Sequence, residues 1–283
     1  MKKKRYKRRE LAGLLFVLPS LLGVCIFLLI PFIDVVRRSF TEAVSGVFVG
    51  FDNYKTIFQT PAFLLAGKNT LRFTAVCIPL LLFLSLFIAV FLQKQKRFGS
   101  LLKSTFLIPM AIPVASVVLL WRLLFHGNGI LNGILAGLGV QGGDWMNTDY
   151  AFWILVFSYL WKNLGYDIVL WVAGLSGISP DIYEAARVDG AGEWKCFTKI
   201  TMPNLLPSLY TISVLSFLNS FKVFREAYLV AGDYPHESMY MMQHLFNNWF
   251  RELSLDKMAA GAVINALVIF VLITLLKRAW EKR

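Results

Sequence analysis

Tyr159, Lys162, Asn163 and Tyr166 stand at i, i+3, i+4 and i+7, the spacing that lines side chains along one face of a helix. Phenol rings, an amide and an ammonium on one stripe suit a polyhydroxylated ring such as a sugar, with apolar C–H faces and many hydroxyls. Ser213, Ser216, Asn219 and Ser220 repeat the pattern farther along the chain, and two polar stripes can frame one cavity. Small hydroxyls also hold helices together, and a lysine also snorkels to an interface, so both uses stay open. Lys222, Arg225 and Glu226 follow. A Lys222–Glu226 pair at i, i+4 makes a structural ion pair; the other reading is a gate-lining or substrate-orienting cation, an acidic sugar included.

Other chemistries lack their residues. No GxxxxGK(S/T) loop occurs, so the chain is expected not to hydrolyse ATP alone. His126, His236 and His244 are widely separated, and Cys25, Cys77 and Cys196 are not placed for an extracellular disulfide, so no metal site or disulfide frame is expected. No catalytic residue is assigned. Asp167 and Glu226, on separate apolar blocks, are thin support for an intramembrane enzyme.

The elements that must carry these stripes are set by composition. Of 283 residues 57% are hydrophobic and 16% charged, against roughly 25% charged in ordinary soluble domains. The apolar residues fall in blocks of about 20, the helical length of a bilayer core. Six spans are read: Leu11 to Val36, Leu71 to Leu92, Ser104 to Phe125, Ala151 to Leu175, Leu205 to Ala231 and Lys257 to Leu276. Runs such as Ile78 to Leu84 are continuously apolar, which excludes the alternating strands of a barrel. The first block is longer than a signal core and lacks a small-x-small cleavage pattern, so it is read as a retained helix.

With the N-terminus inside, 18 of the 29 Lys and Arg fall in cytoplasmic segments and six in external ones, Arg37 and Arg38 being a local exception. That asymmetry sets orientation, and with anionic inner-leaflet lipid it accounts for the net charge of +12 without a nucleic-acid partner. No internal repeat is visible, so any two-fold symmetry must come from a second chain.

The segment Ser176 to Met202 is patterned as two short helices. Ser179 is an N-cap with Pro180 at the first helical position, Asp181 and Glu184 sit in the first turns, and Gly190 can end the helix. A second helix runs from Glu193 to about Lys199, and Pro203 suits the first turn of the fifth span. Ala185 and Ala186 let a partner approach the helix backbone closely. An interfacial helix lying on lipid is the other reading of the same spacing.

Glu184-Ala185-Ala186, Gly190, Ile200 and Pro203, at these intervals, resemble the EAA loop of permeases in binding-protein-dependent ATP-binding-cassette importers. Met202 departs from the Leu usual there. Phe16 to Ser20 with Ile30-Pro31-Phe32, Phe51 to Tyr54, Leu107-Ile108-Pro109 and Ile182 to Ala191 are similar to the carbohydrate branch, that of maltose, glycerol-3-phosphate and multiple-sugar permeases, and to the first of its two permease subunits.

The resemblance implies an all-α membrane protein of six transmembrane helices, the type I, MetI-like permease fold, with a cytoplasmic coupling helix between spans four and five. Residues 1–10 would be a basic cytoplasmic N-terminus and 11–283 one permease domain, with its core at 68–278 and the EAA loop at 176–203. It implies that Glu184, Ala185, Ala186 and Gly190, with Asp189 beside them, couple to the ATPase. The family's substrate positions fall on Tyr159, Lys162, Asn163, Tyr166, Ser216, Asn219, Ser220 and Val223, whereas Arg225 stands where related permeases often have an acid. Implied partners are a second permease subunit, two ATPase subunits that use ATP and Mg, an external solute-binding protein, a sugar, and the lipid of a prokaryotic plasma membrane with both termini inside. Permeases of amino acids, metals, polyol phosphates or oxyanions are the alternatives within the superfamily.

Overall fold

The computed structural model describes residues 13, 15–94 and 99–281. The expected basic segment 1–10, the start of the first span and residues 95–98 of the loop after the second lie outside the described residues. Regular structure among the described residues is helical, with one isolated antiparallel bridge from Thr41 to Phe48. The chain groups into two compact units, 1–61 with 248–269, and 62–247 with 270–283.

In the first unit, α1 (Leu15–Arg38) carries no charged residue before Asp34, and none of its most apolar window is buried, as suits a helix whose solvent is hydrocarbon or a partner helix. Its end explains the exceptional Arg37 and Arg38. Asp34 takes Arg37 at 2.9 Å and Arg38 at 2.6 Å, the i, i+3 and i, i+4 geometry that neutralises charge locally. The following loop is pinned by α2 (Asp52–Gln59): Asn53 Nδ2 donates to the Ser39 and Thr41 carbonyls at 3.1 and 2.9 Å, and Tyr54 bonds the Ser39 hydroxyl at 2.7 Å. The α12 helix (Met242–Arg251) and α13 (Leu255–Glu281) run through both units.

The second unit begins with α3 (Pro61–Lys94), 34 residues and therefore roughly 50 Å long, more than the bilayer core needs. The third expected span is broken into α4 (Gly99–Ala111) and α5 (Val114–Phe125). Pro113 adopts φ −57° and ψ 141° at the start of α5; its ring drives Ile112 from the helical region and its nitrogen has no proton to donate. Next come α6 (Ile130–Gly137), α7 (Tyr150–Ser176), α8 (Pro180–Val188) and α9 (Glu193–Cys196), which continues as a π turn Phe197–Thr201 and a short turn Met202–Asn204. The fifth expected span is α10 (Leu206–Ser220), a 3₁₀ turn Phe221–Val223, and α11 (Phe224–Ala231). Pro207, not Pro203, takes the first turn of α10, because Leu205 at φ −83°, ψ −6° ends the preceding turn.

Among the described residues, four stretches are long and apolar enough to cross a membrane: Leu15–Arg38, Pro61–Gln93, Val114–Gly137 and Leu255–Arg278. The two other expected spans, α7 and α10 with α11, are the ones that carry polar stripes, so length and composition do not single them out. Burial does. The α7 helix runs through two buried clusters: Phe152, Leu155 and Tyr159 pack with Phe73, Cys77, Val223 and Met239, and Ile168, Trp171 and Leu175 with Ala89, Leu205 and Ile212.

Hydrogen bonds tie the neighbours on. Trp121 Nε1 donates to Ser158 Oγ and Trp171 Nε1 to Ser85 Oγ, each at 2.9 Å, contacts worth about 0.6 kcal/mol on average in a membrane interior. At Gly165 the α4 backbone comes so close that a Cβ would stand 1.8 Å from the Phe106 carbonyl oxygen. Only glycine allows that approach.

Candidate functional site

The loop between α7 and α10 folds as its capping residues dictate. Ser179 Oγ accepts from the Asp181 amide at 3.4 Å, Pro180 opens α8, and Gly190 closes it at φ +79°. Ala191 N–H donates to the Ala186 carbonyl at 2.9 Å and Gly190 N–H to that of Arg187 at 3.0 Å, the paired bonds of a Schellman stop. One side of α8 is rooted: Ile178 and Tyr183 pack with Ile200 and Leu205, and the Tyr183 hydroxyl bonds that of Thr201 at 2.9 Å. An exposed ion pair of Arg187 with Glu193 at 3.1 Å staples it to α9.

The opposite side is bare. Glu184, Ala185, Val188, Asp189 and Gly190 are exposed and Ala186 half-buried. This leaves a short helix capped at both ends, packed on one side and exposed on the other. The structure brings all five expected coupling residues onto this turn and its cap.

The polar stripe of α7 divides by depth. Tyr159 and Ser216 are buried within the chain: the Tyr159 hydroxyl donates to the Ser216 carbonyl at 2.6 Å, and Ser216 Oγ donates to Asp167 Oδ2 at 2.7 Å. They fasten α7 to α10. Asn163 Nδ2 donates to the Tyr159 carbonyl at 2.8 Å and stays part-exposed, as do Lys162, Tyr166 and Asn219. Ser213 is buried in α10, and Ser220 donates to the Phe217 carbonyl at 2.6 Å.

The charged residues pair differently from the sequence expectation. Glu226 does not meet Lys222. Its Oε1 takes Lys162 Nζ at 2.8 Å, with side chains 7% and 17% exposed, while Lys222 Nζ donates to Asn219 Oδ1 at 2.7 Å. The cause is the 3₁₀ turn Phe221–Val223. At about 3.0 residues per turn it shifts the helical phase, leaving Lys222 outward and turning Glu226 toward α7. Lys162 is thus an ion-pair partner rather than a snorkelling cation, and Arg225 is exposed on α11. The end of α11 is held from α5, where Arg122 Nη2 donates to the Leu229 and Val230 carbonyls at 2.9 and 2.7 Å, a cation at a helix C-terminus.

Ser220 and Val223, both buried, line a narrow and mostly apolar crevice with Thr74 of α3, Phe221, Phe224 and Gln243, with room for little more than one water. Among the described residues no three His, Cys, Asp or Glu come together to hold a metal.

The family model described as "Binding-protein-dependent transport system inner membrane component" matches residues 69–283. The chain belongs to this family. Among its relatives, the arabinooligosaccharides transport system permease protein AraP of Bacillus subtilis is 30% identical over 94% of this chain and 86% of its own. The trehalose/maltose transport system permease protein MalF of Thermococcus litoralis is 30% identical over 96% of this chain and 92% of its own. A bacterial ABC transporter involved in import of the acidic polysaccharide alginate has the same fold, with a TM-score of 0.84 at 22% identity, covering 100% of this chain and 99% of that one.

Within this inner membrane component, sequence reasoning missed the residues that act through other elements. Asp167 was visible as an acid in an apolar block, yet its bond to Ser216 was not. Thr74 and Gln243, which line the narrow crevice, stand on α3 and α12, outside the two stripes. His244, outside the spans, is fully buried between the Phe224 and Tyr240 rings and accepts from the Met241 amide on Nδ1 at 3.1 Å. Burial pushes its pKa down to about 4, with Asp233 pulling weakly the other way.

Proposed function

We propose that this permease subunit forms half of the path through which an ATP-driven importer carries a sugar or oligosaccharide across a prokaryotic plasma membrane. A separate external binding protein delivers the solute, a second permease subunit completes the path, and two ATPase subunits using ATP and Mg dock on the cytoplasmic side. Both termini lie in the cytoplasm. Closure of the ATPases moves α8, and the movement passes through Tyr183 to Thr201 and along α7 and α10, turning the cavity from inward to outward facing.

The observation that carries this reading is α8 itself, bare on the side of Glu184 and Ala185 and rooted on the other through Tyr183. Sugar as the cargo rests on the relatives, whose names specify arabinooligosaccharides and trehalose or maltose, and on the part-exposed Asn163, Tyr166 and Asn219. Hydroxyl-rich solutes match such amide and phenol groups.

The test is reconstitution of the chain with its second permease, ATPase and binding protein in proteoliposomes, offered radiolabelled arabinotriose, maltose, trehalose and a set of amino acids. ATP-dependent uptake of a sugar is expected. Uptake of amino acids with none of the sugars would overturn the reading.

A further inference from the structure

We propose that the charged crevice at the end of α1 is a phospholipid site. It seats the headgroup of a zwitterionic lipid with a primary ammonium, of the phosphatidylethanolamine class, whose acyl chains lie along α1. The inference goes beyond solute transport and needs only that the chain spans a membrane.

The crevice lies within the first unit. Arg37, Arg38, Thr41 and Glu42 line it from the end of α1 and the loop that follows, and Leu255 and Asp256 from the start of α13. It has room for several waters, enough to seat a charged group. Its walls are built. Glu42 N–H donates to the Val47 carbonyl at 2.9 Å and Gly46 N–H to that of Glu42 at 3.0 Å, closing a tight hairpin in which the Ser45 hydroxyl bonds the Glu42 carboxylate. On the α13 side, Leu253 takes φ +58°, a region that bulky side chains rarely enter, and Asp256 Oδ1 accepts from the Lys257 amide at 2.8 Å.

The charges that line the crevice balance in number, Arg37 and Arg38 against Glu42 and Asp256, but they do not pair with one another. Both arginines reach back to Asp34 instead, Arg37 through Nε and Nη2 and Arg38 through Nε, and each keeps most of its N–H donors. Among the described residues no ion pair joins Glu42 or Asp256 to a cation, and each carboxylate has one oxygen without a hydrogen bond. Such a crevice suits an occupant that carries both signs. A phosphate matches the guanidinium forks, and an ammonium with N–H donors matches the two carboxylates. A purely anionic headgroup would face Glu42 and Asp256 without a cation for them, and a quaternary ammonium has no N–H to give.

The α1 helix holds the rest of the lipid. Ile30, Ile33 and Arg37 stand at i, i+3 and i+7, which places them on one helix face, and both isoleucines are exposed. An acyl chain along this stripe brings its phosphate to Arg37. The two arginines that depart from the charge asymmetry of the chain thereby meet an anion at the membrane surface.

The experiment equilibrates the complete importer with vesicles of equal parts phosphatidylethanolamine, phosphatidylglycerol and phosphatidylcholine, extracts it in mild detergent, and measures retained lipid by native mass spectrometry. Phosphatidylethanolamine should be retained in preference to the other two. Glu42→Gln with Asp256→Asn should lower its apparent affinity about 3- to 10-fold, toward that of phosphatidylcholine. Arg37→Gln should weaken all three alike, because all carry the phosphate. Glu42→Gln alone, on an exposed loop, should show a smaller loss of the same preference, and it serves if the double variant assembles poorly. Equal retention of the three lipids by the wild type, a preference for phosphatidylglycerol, or an unchanged preference in both carboxylate variants overturns the site. So does a carboxylate variant that keeps the lipid preference but loses affinity for the external binding protein, which marks the crevice as a docking face for that partner.

Discussion

Replacing Lys162 by Met leaves the Glu226 carboxylate buried without its cation. The two side chains are 17% and 7% exposed and 2.8 Å apart, and Glu226 Oε2 already has no hydrogen-bond partner, so little solvent is at hand to take over. Breaking such a buried pair costs about 3–5 kcal/mol, mostly the penalty of the stranded charge. For a chain of this size that is on the order of 6–15 °C in unfolding midpoint. Glu226→Gln should cost less, because the longer, more exposed lysine can turn to the membrane interface. The double variant Lys162→Met, Glu226→Gln should recover most of the loss, since no unpaired charge remains. Lys222→Met, at an exposed position bonded to Asn219, should cost less than about 0.5 kcal/mol. The assay is thermal unfolding of the assembled importer in nanodiscs, read from tryptophan fluorescence. A silent Lys162→Met, a double variant at least as unstable as Lys162→Met, or a Lys222→Met as damaging as Lys162→Met would refute the pairing.

Gly165→Ala places a Cβ 1.8 Å from the Phe106 carbonyl, so α4 and α7 must separate; assembled complex in membranes, measured by immunoblot, should drop severely, and normal levels would count against this crossing. His244 has its folded pKa depressed to about 4, so its contribution to stability is complete above about pH 6.5 and declines as pH falls from there toward 4. Unfolding free energies at pH 7 and pH 5 should therefore differ by on the order of 2 kcal/mol more in the wild type than in His244→Gln; equal pH dependence would contradict its burial as a neutral ring. Arg225→Ala and Arg225→Glu change an exposed cation on α11, and a substrate-orienting role predicts altered preference between neutral and anionic sugars in uptake assays. Unchanged selectivity assigns Arg225 no part in it.

Much of the fold could be read from the sequence because it depends on local rules. The cap at Ser179 and the stop at Gly190 are set by residues within one turn of the helix they bound, and they stand where the spacing puts them. The stripe on α7 was also visible, because 3.6 residues per turn is a property of the helix alone. What escaped depended on small backbone departures. The 3₁₀ turn Phe221–Val223 has no proline or glycine to announce it, yet it decides that Glu226 faces Lys162 and not Lys222. The break at Pro113 was announced by the residue itself, but the apolar run on both sides masked it. Tyr159 and Ser216 illustrate a third limit: spacing placed them on facing stripes, but whether a stripe faces a cavity or another helix depends on tertiary packing, and these two are bonded to each other in the chain's interior.

The central claim is that α8 receives force from an ATPase, and Gly190 is where it can be tested with least disturbance to packing. No atom lies within 4 Å of a Cβ built there, while φ is +79°, so Gly190→Val strains the Schellman stop by about 1–2 kcal/mol without a collision. Asn tolerates the left-handed region better. The measurement is sugar- and binding-protein-stimulated ATP hydrolysis by the reconstituted importer. Gly190→Val should assemble normally yet lose most of the stimulation, with Gly190→Asn between it and the wild type. Full stimulation in Gly190→Val would contradict the account.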